Sequence, residues 1–157
     1  MSGFAGCPGS RTVEFKKGDS QEVDAARVPS QLRQWPIQLH LVSPQAPYFQ
    51  GADVVLAADC VPFAMGNFHN DFLKGKALAI ACPKLDAGQE AYVEKIRAWY
   101  EEAKINTLTV MIMQVPCCRG LLAAAVQALQ GSKRKVPIRC VVVSLQGEVL
   151  QEEWVDA

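Results

Sequence analysis

The chain has 157 residues, of which 50% are hydrophobic and 20% are charged, and this composition is typical of one globular domain with a sizeable core. The 16 basic and 16 acidic residues give a formal net charge of zero, which excludes an electrostatic argument for binding nucleic acid or an anionic membrane. No apolar run approaches the ~20 residues of a membrane-spanning helix, and the N-terminus lacks the apolar core of a signal peptide, so we expect a cytoplasmic protein.

The first 27 residues are rich in glycine and charged side chains and show little periodicity, which is typical of a surface arm. This arm carries Cys7 in the sequence GCPGS, and one short strand is predicted at 11–15. A short helix is predicted in PSQLRQW, with Ser30 at its N-cap. No linker marks a second domain, so we expect residues 1–157 to form a single α/β domain with an N-terminal arm at 1–27.

Apolar runs predict five strands, and their continuous rather than alternating pattern is typical of strands that are covered on both faces. The runs are 37–42, 53–60, 77–83, 107–115 and 138–145. Helical patterns fill the gaps, at 62–75, 85–105 and 119–132. A turn at Gln146 and Gly147 followed by a short edge strand ends the chain. The alternation predicts a three-layer α/β sandwich with a mainly parallel, Rossmann-like sheet of about five strands.

Four of the six cysteines follow predicted strands directly: Cys60, Cys82 and the adjacent pair Cys117 and Cys118. The carboxyl ends of parallel strands share one rim, where open α/β sheets place their ligand sites. Because disulfides are rare in the cytoplasm, metal or redox chemistry is the expected use of these thiols. Cys140 begins the last long predicted strand and is excluded from the site.

The predicted thiol site has several possible chemistries. Helix starts after the cysteines, together with Lys84 and Arg119, are expected to lower the thiol pKa values and so to favour the thiolates that bind soft metals. Side chains of adjacent cysteines diverge, so a larger iron–sulfur cluster accommodates Cys117 and Cys118 better than one small ion does. Alternatives that stay open are a thiol redox site and plain core cysteines.

Other motifs limit the interpretation. The chain has no C-x2-C spacing, no G-x-G-x-x-G after a strand and no P-loop. His40 is expected to pack in the core or to face a helix. His69 and Asp59 are expected to reach the site, if at all, as hydrogen-bond partners before ligands. A turn at the proline and glycine after Cys7 would present that thiol to the rim, although an exposed, unimportant thiol is an equal alternative.

Four segments together resemble a known family: CPGS, WPIQLHLVSPQAPYFQGADVVLAADCVPFAMGNFH, FLKGKALAIACPKLD and VPCCRGL. They are similar to the carboxyl-terminal region of ferredoxin-type iron–sulfur cluster-binding oxidoreductases of bacteria and archaea. In that family the region follows a ferredoxin-like domain, whose C-x2-C-x2-C-x3-C runs are missing from this sequence. The resemblance implies that the matching cysteines, Cys7, Cys60, Cys82, Cys117 and Cys118, bind the cofactor.

These observations lead to one functional hypothesis and two alternatives. We expect an iron–sulfur cluster or related metal bound by Cys60, Cys82, Cys117 and one of Cys7 or Cys118, in a redox protein that transfers electrons to a ferredoxin-like or oxidoreductase partner. The first alternative is a non-redox module that binds zinc or receives a cluster. The second is a thiol enzyme with Cys117 or Cys118 as its nucleophile.

Overall fold

The computed structural model describes residues 27–155. The strands are β1 Asp53–Ala58, β2 Ala77–Ala81, β3 Thr107–Met113, β4 Ile138–Val143 and β5 Val149–Val155. The helices are α1 Val61–Ala64, α2 Glu90–Glu101 and α3 Arg119–Gln130. Three single turns complete the regular structure, namely Pro47–Phe49, the π-helical turn His69–Leu73 and the 3-10 turn Pro116–Cys118.

The five strands form one sheet in the order β2-β1-β3-β4-β5. The first four are parallel, and β5 returns antiparallel to β4. Right-handed crossovers in this order place α2 and α3 on one face and α1 on the other. The predicted α/β fold with a mainly parallel, Rossmann-like sheet is therefore confirmed.

Burial follows from this layering. The central strands are covered on both faces, so residues 54–58 of β1 and 108–113 of β3 are all buried. On the α2 side the core contains the large rings of Trp99, Tyr92 and Tyr100, none of which is more than 1% exposed. Tyr100 also joins the two helices of this face, because its hydroxyl donates to the carbonyl of Ala125 in α3 at 3.1 Å.

The predicted strand at 37–42 is wrong. This segment runs beside β2 and forms one isolated parallel bridge, between Gln38 and Ile80. The chain then turns, since the amides of Leu41 and Val42 both donate to the carbonyl of Gln38, at 2.8 Å and 3.0 Å. Local turn hydrogen bonds therefore replace the ladder that the apolar pattern predicted.

Two helix predictions also need correction. The pattern at 62–75 forms the four-residue α1 and a separate π-helical turn, because Met65 is extended and ends the first helix. The segment predicted as a short helix after Pro29 is irregular, although the Ser30 hydroxyl does accept the amide of Leu32 at 3.2 Å. The strand predicted at 11–15 lies outside the described residues.

The end of the chain agrees with the sequence pattern. Gly147 adopts a φ of 88° in the turn before β5, a left-handed conformation that favours glycine. β5 is an edge strand whose residues are exposed except for the half-buried Val155. Within residues 27–155, no helix combines the length and the apolar character needed to cross a membrane.

Candidate functional site

The carboxyl ends of three neighbouring strands carry the predicted thiols. Cys60 lies between β1 and α1, Cys82 follows β2, and Cys117 and Cys118 form the turn between β3 and α3. After β1 the chain crosses to β2, toward one edge of the sheet, whereas after β3 it crosses to β4, toward the opposite edge. These strand ends therefore border the topological switch point, where doubly wound sheets open a crevice for ligands.

A close contact holds two of the three thiol-bearing loops together. Gly120, in the first turn of α3, approaches Pro83 so closely that a β-carbon on the glycine would lie 3.2 Å from the proline β-carbon. The loop after Cys82 thus packs against the helix start that follows Cys118. A side chain at position 120 would push these loops apart by a few tenths of an ångström.

Asp86 fixes the loop after β2. Its carboxylate accepts the amide of Cys82 at 3.0 Å and the hydroxyl of Tyr92, while its own amide donates to the Cys82 carbonyl at 2.9 Å. These reciprocal bonds close a tight turn around the cysteine. The Cys82 thiol is therefore held on a rigid support, and Asp86 acts as a positioning residue.

The thiols differ in exposure and influence one another electrostatically. Cys60 is exposed, Cys82 and Cys117 are half-buried, and Cys118 is buried. Burial raises the pKa of the Cys60 thiol, and the negative charges of Cys82, Asp59 and Cys117 raise it further. Burial also raises the pKa of Cys118 to about 11, partly offset by a hydrogen bond from the Met113 backbone.

For Cys60 and Cys118, the prediction of lowered pKa values is wrong. Burial is the largest contribution at both thiols. The helix after Cys60 has only four residues, so its dipole is weak. The thiols of Cys117 and Cys118 are nevertheless close together, because a hydrogen bond with Cys117 and its negative charge add to the raised pKa of Cys118.

Asp59 introduces an unsatisfied group at the same rim. Its Oδ1 atom is buried and has no hydrogen-bond partner among the described residues. Burial raises the pKa of this carboxyl, and the charge of Asp86 raises it further. A buried carboxylate oxygen without a donor is rare in folded proteins and marks a place where an additional group is expected.

The remaining candidates lie elsewhere. Cys140 is buried inside β4 and lines a groove of about 460 Å³ beside α3, so its exclusion from the rim agrees with the structure. Its raised pKa reflects burial first and the charge of Glu153 second. Arg119 is exposed and lines the same groove, and Lys84 is exposed next to Pro83. Cys7 lies outside the described residues.

The two histidines make local contacts. His40 is exposed and faces helix α2, which is one of its two expected roles: its Nε2 bonds the Ala87 carbonyl at 2.7 Å, and its ring lies 4.6 Å from that of Tyr92. His69 accepts the amide of Gln31 through Nδ1 at 2.9 Å. His69 therefore fixes the segment before β1, and His40 supports the Asp86 loop through Tyr92.

The potential ligands at this rim are the thiols of four cysteines. Thiolates are soft ligands that suit zinc and iron–sulfur clusters. Tetrahedral Zn–S bonds of about 2.3 Å require sulfurs about 3.8 Å apart. Among the described histidines, cysteines, aspartates and glutamates, no three are placed to hold one metal ion. A cluster distributes its ligands over several irons and accepts wider spacing.

Sequence reasoning identified the thiols but missed the residues that hold them. Asp86 and Gly120 were not singled out, although the spacing Cys82-x3-Asp86 is a signal for a side-chain-capped turn. The Gly120–Pro83 contact has no local signal, because it joins segments that are distant in the chain. Tyr92 is buried in the core, but its hydroxyl reaches Asp86.

Fold and site together define a doubly wound α/β protein with four cysteines in the loops at the carboxyl ends of three neighbouring strands. Residues 46–156 match the family of Rossmann-like domains, and the chain belongs to that family. It is similar to a protein of Archaeoglobus fulgidus described as uncharacterized, with 29% identity over 119 residues, which cover 76% of this chain and 83% of the relative. No solved structure matches the chain significantly.

Proposed function

We propose that this protein binds an iron–sulfur cluster, or a related thiolate-bound metal, at the carboxyl rim of its sheet and exchanges electrons with a partner oxidoreductase. One observation carries the proposal: three neighbouring parallel strands end at the same rim of the sheet, and each is followed directly by one or two cysteines, Cys60, Cys82 and the Cys117–Cys118 turn. One chance cysteine in a core is common, whereas thiols at three adjacent strand ends form a ligand set.

The chemistry of the rim supports the cluster over its alternatives. When bound, a cluster supplies one-electron redox chemistry, and the protein supplies rigid thiolate ligands and a partly dry wall. The resemblance to ferredoxin-type iron–sulfur oxidoreductases, which covers Cys60, Cys82 and the Cys117–Cys118 turn, favours iron.

The thiol-enzyme alternative is weaker on physical grounds where Cys118 is the nucleophile. A nucleophilic cysteine needs to be a thiolate near neutral pH, in an electropositive and accessible setting. Cys118 is buried, and burial raises its pKa to about 11. This environment favours the neutral thiol, which is a poor nucleophile.

The surroundings of Cys60 support contact with a redox partner. Phe63 is 92% exposed and Leu85 is 82% exposed, and each follows a rim cysteine by three residues. Large apolar side chains that are this exposed often mark protein contact sites. Because each of them closely follows a rim cysteine in sequence, these two side chains are the contacts that we propose for an oxidoreductase docking at this end of the sheet.

Anaerobic purification followed by a visible spectrum and iron and sulfide analysis tests the proposal. The protein should be brown, with iron and acid-labile sulfide in similar amounts. Cys60→Ser, Cys82→Ser and Cys117→Ser should each lose most of the iron, whereas the control Cys140→Ser should retain it. A colourless protein that contains zinc would favour the binding-module alternative, and equal iron in all four variants would reject the ligand assignment.

A further inference from the structure

Helix α3 has a second stripe of side chains outside its buried core face. The core face consists of Leu121, Ala124, Ala125, Ala128 and Leu129. The second stripe repeats at intervals of three and four residues, is exposed or half-buried, and consists of Arg119, Leu122, Ala123, Val126, Gln127 and Gln130. All six line the groove of about 460 Å³ beside α3. The stripe therefore forms one wall of a cavity, whose volume is in the ~300–1,000 Å³ range of small-molecule sites.

One face of β4 and β5 forms the floor of the groove. In the antiparallel register Val142 pairs with Gln151, and Cys140 pairs with Glu153. Directly paired residues share a face of the sheet, and all four line the groove. Ile112 of β3 pairs with Val142 and continues the row beneath the helix. The floor is therefore apolar near α3 and becomes polar and charged toward the exposed edge strand β5.

Two side chains of opposite charge border the groove without pairing. Within residues 27–155, neither Arg119 nor Glu153 forms a salt bridge, and neither side chain makes a hydrogen bond. Both act on the Cys140 thiol: burial raises its pKa most, the charge of Glu153 raises it further, and the charge of Arg119 lowers it. The groove thus offers one positive and one negative group that no side chain of the described segment neutralises.

The two charged residues are separated along the strand direction. Glu153 is opposite Cys140, which lies three residues before the end of β4, whereas Arg119 begins α3 beyond the carboxyl ends of the strands. A rise of ~3.3 Å per residue puts these two backbone positions roughly 10 Å or more apart. An extended peptide of three residues spans about the same length, whereas the two charges of a free amino acid are adjacent. The spacing therefore favours a short peptide as the ligand.

We propose that the groove binds a short apolar peptide with free termini, whose carboxylate pairs with Arg119 and whose ammonium pairs with Glu153. Its apolar side chains pack on Leu122 and Val126. The guanidinium suits a terminal carboxylate, because its fork of N–H groups donates two parallel hydrogen bonds. No rim cysteine lines the groove, so this site is distinct from the proposed cofactor site.

Isothermal titration calorimetry of the protein with the tripeptide Ala-Leu-Ala tests the site. The free peptide should bind, and N-acetylation or C-amidation should each weaken binding about fivefold, as the loss of a half-exposed ion pair does. Arg119→Gln should no longer distinguish the free peptide from the amidated one. Glu153→Gln should likewise no longer distinguish the free peptide from the acetylated one. Arg97→Gln, at an exposed arginine of α2, is the matched control and should behave as the wild type.

A variant with a filled groove separates binding at this site from binding elsewhere. Ala123→Trp, at an exposed position of the wall, should abolish binding while the circular dichroism spectrum stays that of the wild type. Free leucine should bind more weakly than the tripeptide, and tighter binding of leucine would overturn the peptide assignment. The proposal would also be overturned by no binding of any of these peptides, by equal wild-type affinity for all three, or by unchanged binding in Ala123→Trp. None of these readouts depends on iron, so they test the groove separately from the proposed function.

Discussion

At the scale of single residues, the ammonium of Lys95 lies within hydrogen-bonding distance of three backbone carbonyls. It donates to Leu39 at 2.9 Å, to His40 at 2.8 Å and to Val42 at 2.9 Å. These carbonyls belong to the turn that replaces the predicted strand at 37–42. A single side chain of α2 thus supplies hydrogen-bond donors to three carbonyls of an irregular segment that has no strand ladder to bond them.

Lys95→Met keeps the apolar stem of the side chain and removes all three donors. Because partly buried carbonyls would be left without a partner, we expect the free energy of unfolding to fall by about 1–3 kcal/mol. Urea denaturation at neutral pH measures the change. The control is Lys104→Met, an exposed lysine whose ammonium makes no hydrogen bond within the described residues, and it should change stability by less than about 0.5 kcal/mol. Equal losses in both variants would contradict this role of Lys95.

A second prediction at the scale of single residues concerns the carboxylate of Asp53, at the amino end of the sheet. Its Oδ1 accepts the Thr107 hydroxyl at 2.7 Å and the Asn106 amide at 2.8 Å. The Thr107 bond is the largest cause of a lowered pKa, opposed by burial and supported by Asn106 and by the charge of Lys76. The stabilisation is therefore fully present above the ordinary pKa of 3.8 and is lost as pH falls through the lower folded value.

Asp53→Asn should reduce stability by about 1 kcal/mol at neutral pH, because hydrogen bonds to a charged acceptor are replaced by neutral ones. The difference between wild type and variant should shrink toward zero near pH 2. Urea titrations at both pH values measure it. As a check on the cause, Thr107→Val should raise the pKa of Asp53 in a carboxyl NMR titration, and an unchanged pKa would remove Thr107 as its source.

At this scale, the sequence predicted the location of a residue correctly where that location depends only on its position along a strand. Cys60, Cys82, Cys117 and Cys118 were placed at one rim because parallel strand ends share an edge, and the structure puts them there. The pKa directions failed, because burial and neighbouring negative charge depend on contacts between segments distant in the chain. Asp86 was missed for a related reason, since a capping side chain resembles any other loop aspartate until its partners are known.

At the scale of elements, the four predicted strands that form begin at the right residue and end earlier in the structure than predicted. The runs at 53–60 and 107–115 each continue two residues beyond β1 and β3. Apolar character persists into the rim loops because Val61 and Cys118 are themselves buried, so composition does not mark the strand end. Element boundaries depend on hydrogen bonding, which the apolar pattern reports only indirectly.

The turn before β5 gives the element-scale prediction. Gly147 has a φ of 88°, and a β-carbon there would overlap the carbonyl oxygen of Ala64 at the end of α1. Gly147→Ala should therefore suffer both backbone strain and a steric clash, with a stability loss of about 2 kcal/mol or more. Because the displaced helix follows Cys60, iron retention should fall as well.

Gly51 is the matched control for this substitution. Its φ of 64° is also left-handed, but a β-carbon there meets nothing within 4 Å. Gly51→Ala should show only the strain of the backbone conformation, about 1 kcal/mol. Chemical denaturation of both variants isolates the clash as their difference, and equal losses would show that Ala64 moves aside freely.

At the scale of the whole molecule, helices packed on both faces of the sheet partly bury the thiols at its carboxyl rim. This arrangement has a consequence for global stability at alkaline pH. Burial raises the pKa of Cys118 from an ordinary 9.0 to about 11 in the folded state. Between these values the unfolded chain has lost the thiol proton while the folded protein retains it, so stability falls as pH rises.

The expected decline is on the order of 2 kcal/mol between about pH 9 and pH 11, since each pKa unit corresponds to about 1.4 kcal/mol and solvent screening reduces the total. Tyr100, whose pKa is also raised by burial, adds its own decline above about pH 10. The contribution of Cys118 is therefore measured as a difference between wild type and Cys118→Ala. Urea denaturation of both metal-free, fully reduced proteins across this range provides it.

Cys118→Ala should lower stability at pH 8 and show a shallower decline above pH 9, so that the two curves converge at alkaline pH. Val143→Ala, which truncates a fully buried side chain without a titratable group, should be less stable than wild type by the same amount at every pH. This control separates packing from ionisation, because both variants remove core atoms but only one removes a buried thiol. Parallel curves for wild type and Cys118→Ala would mean that Cys118 ionises equally in the folded and unfolded states. Water would then reach the buried surface that we propose to lie beside the cofactor.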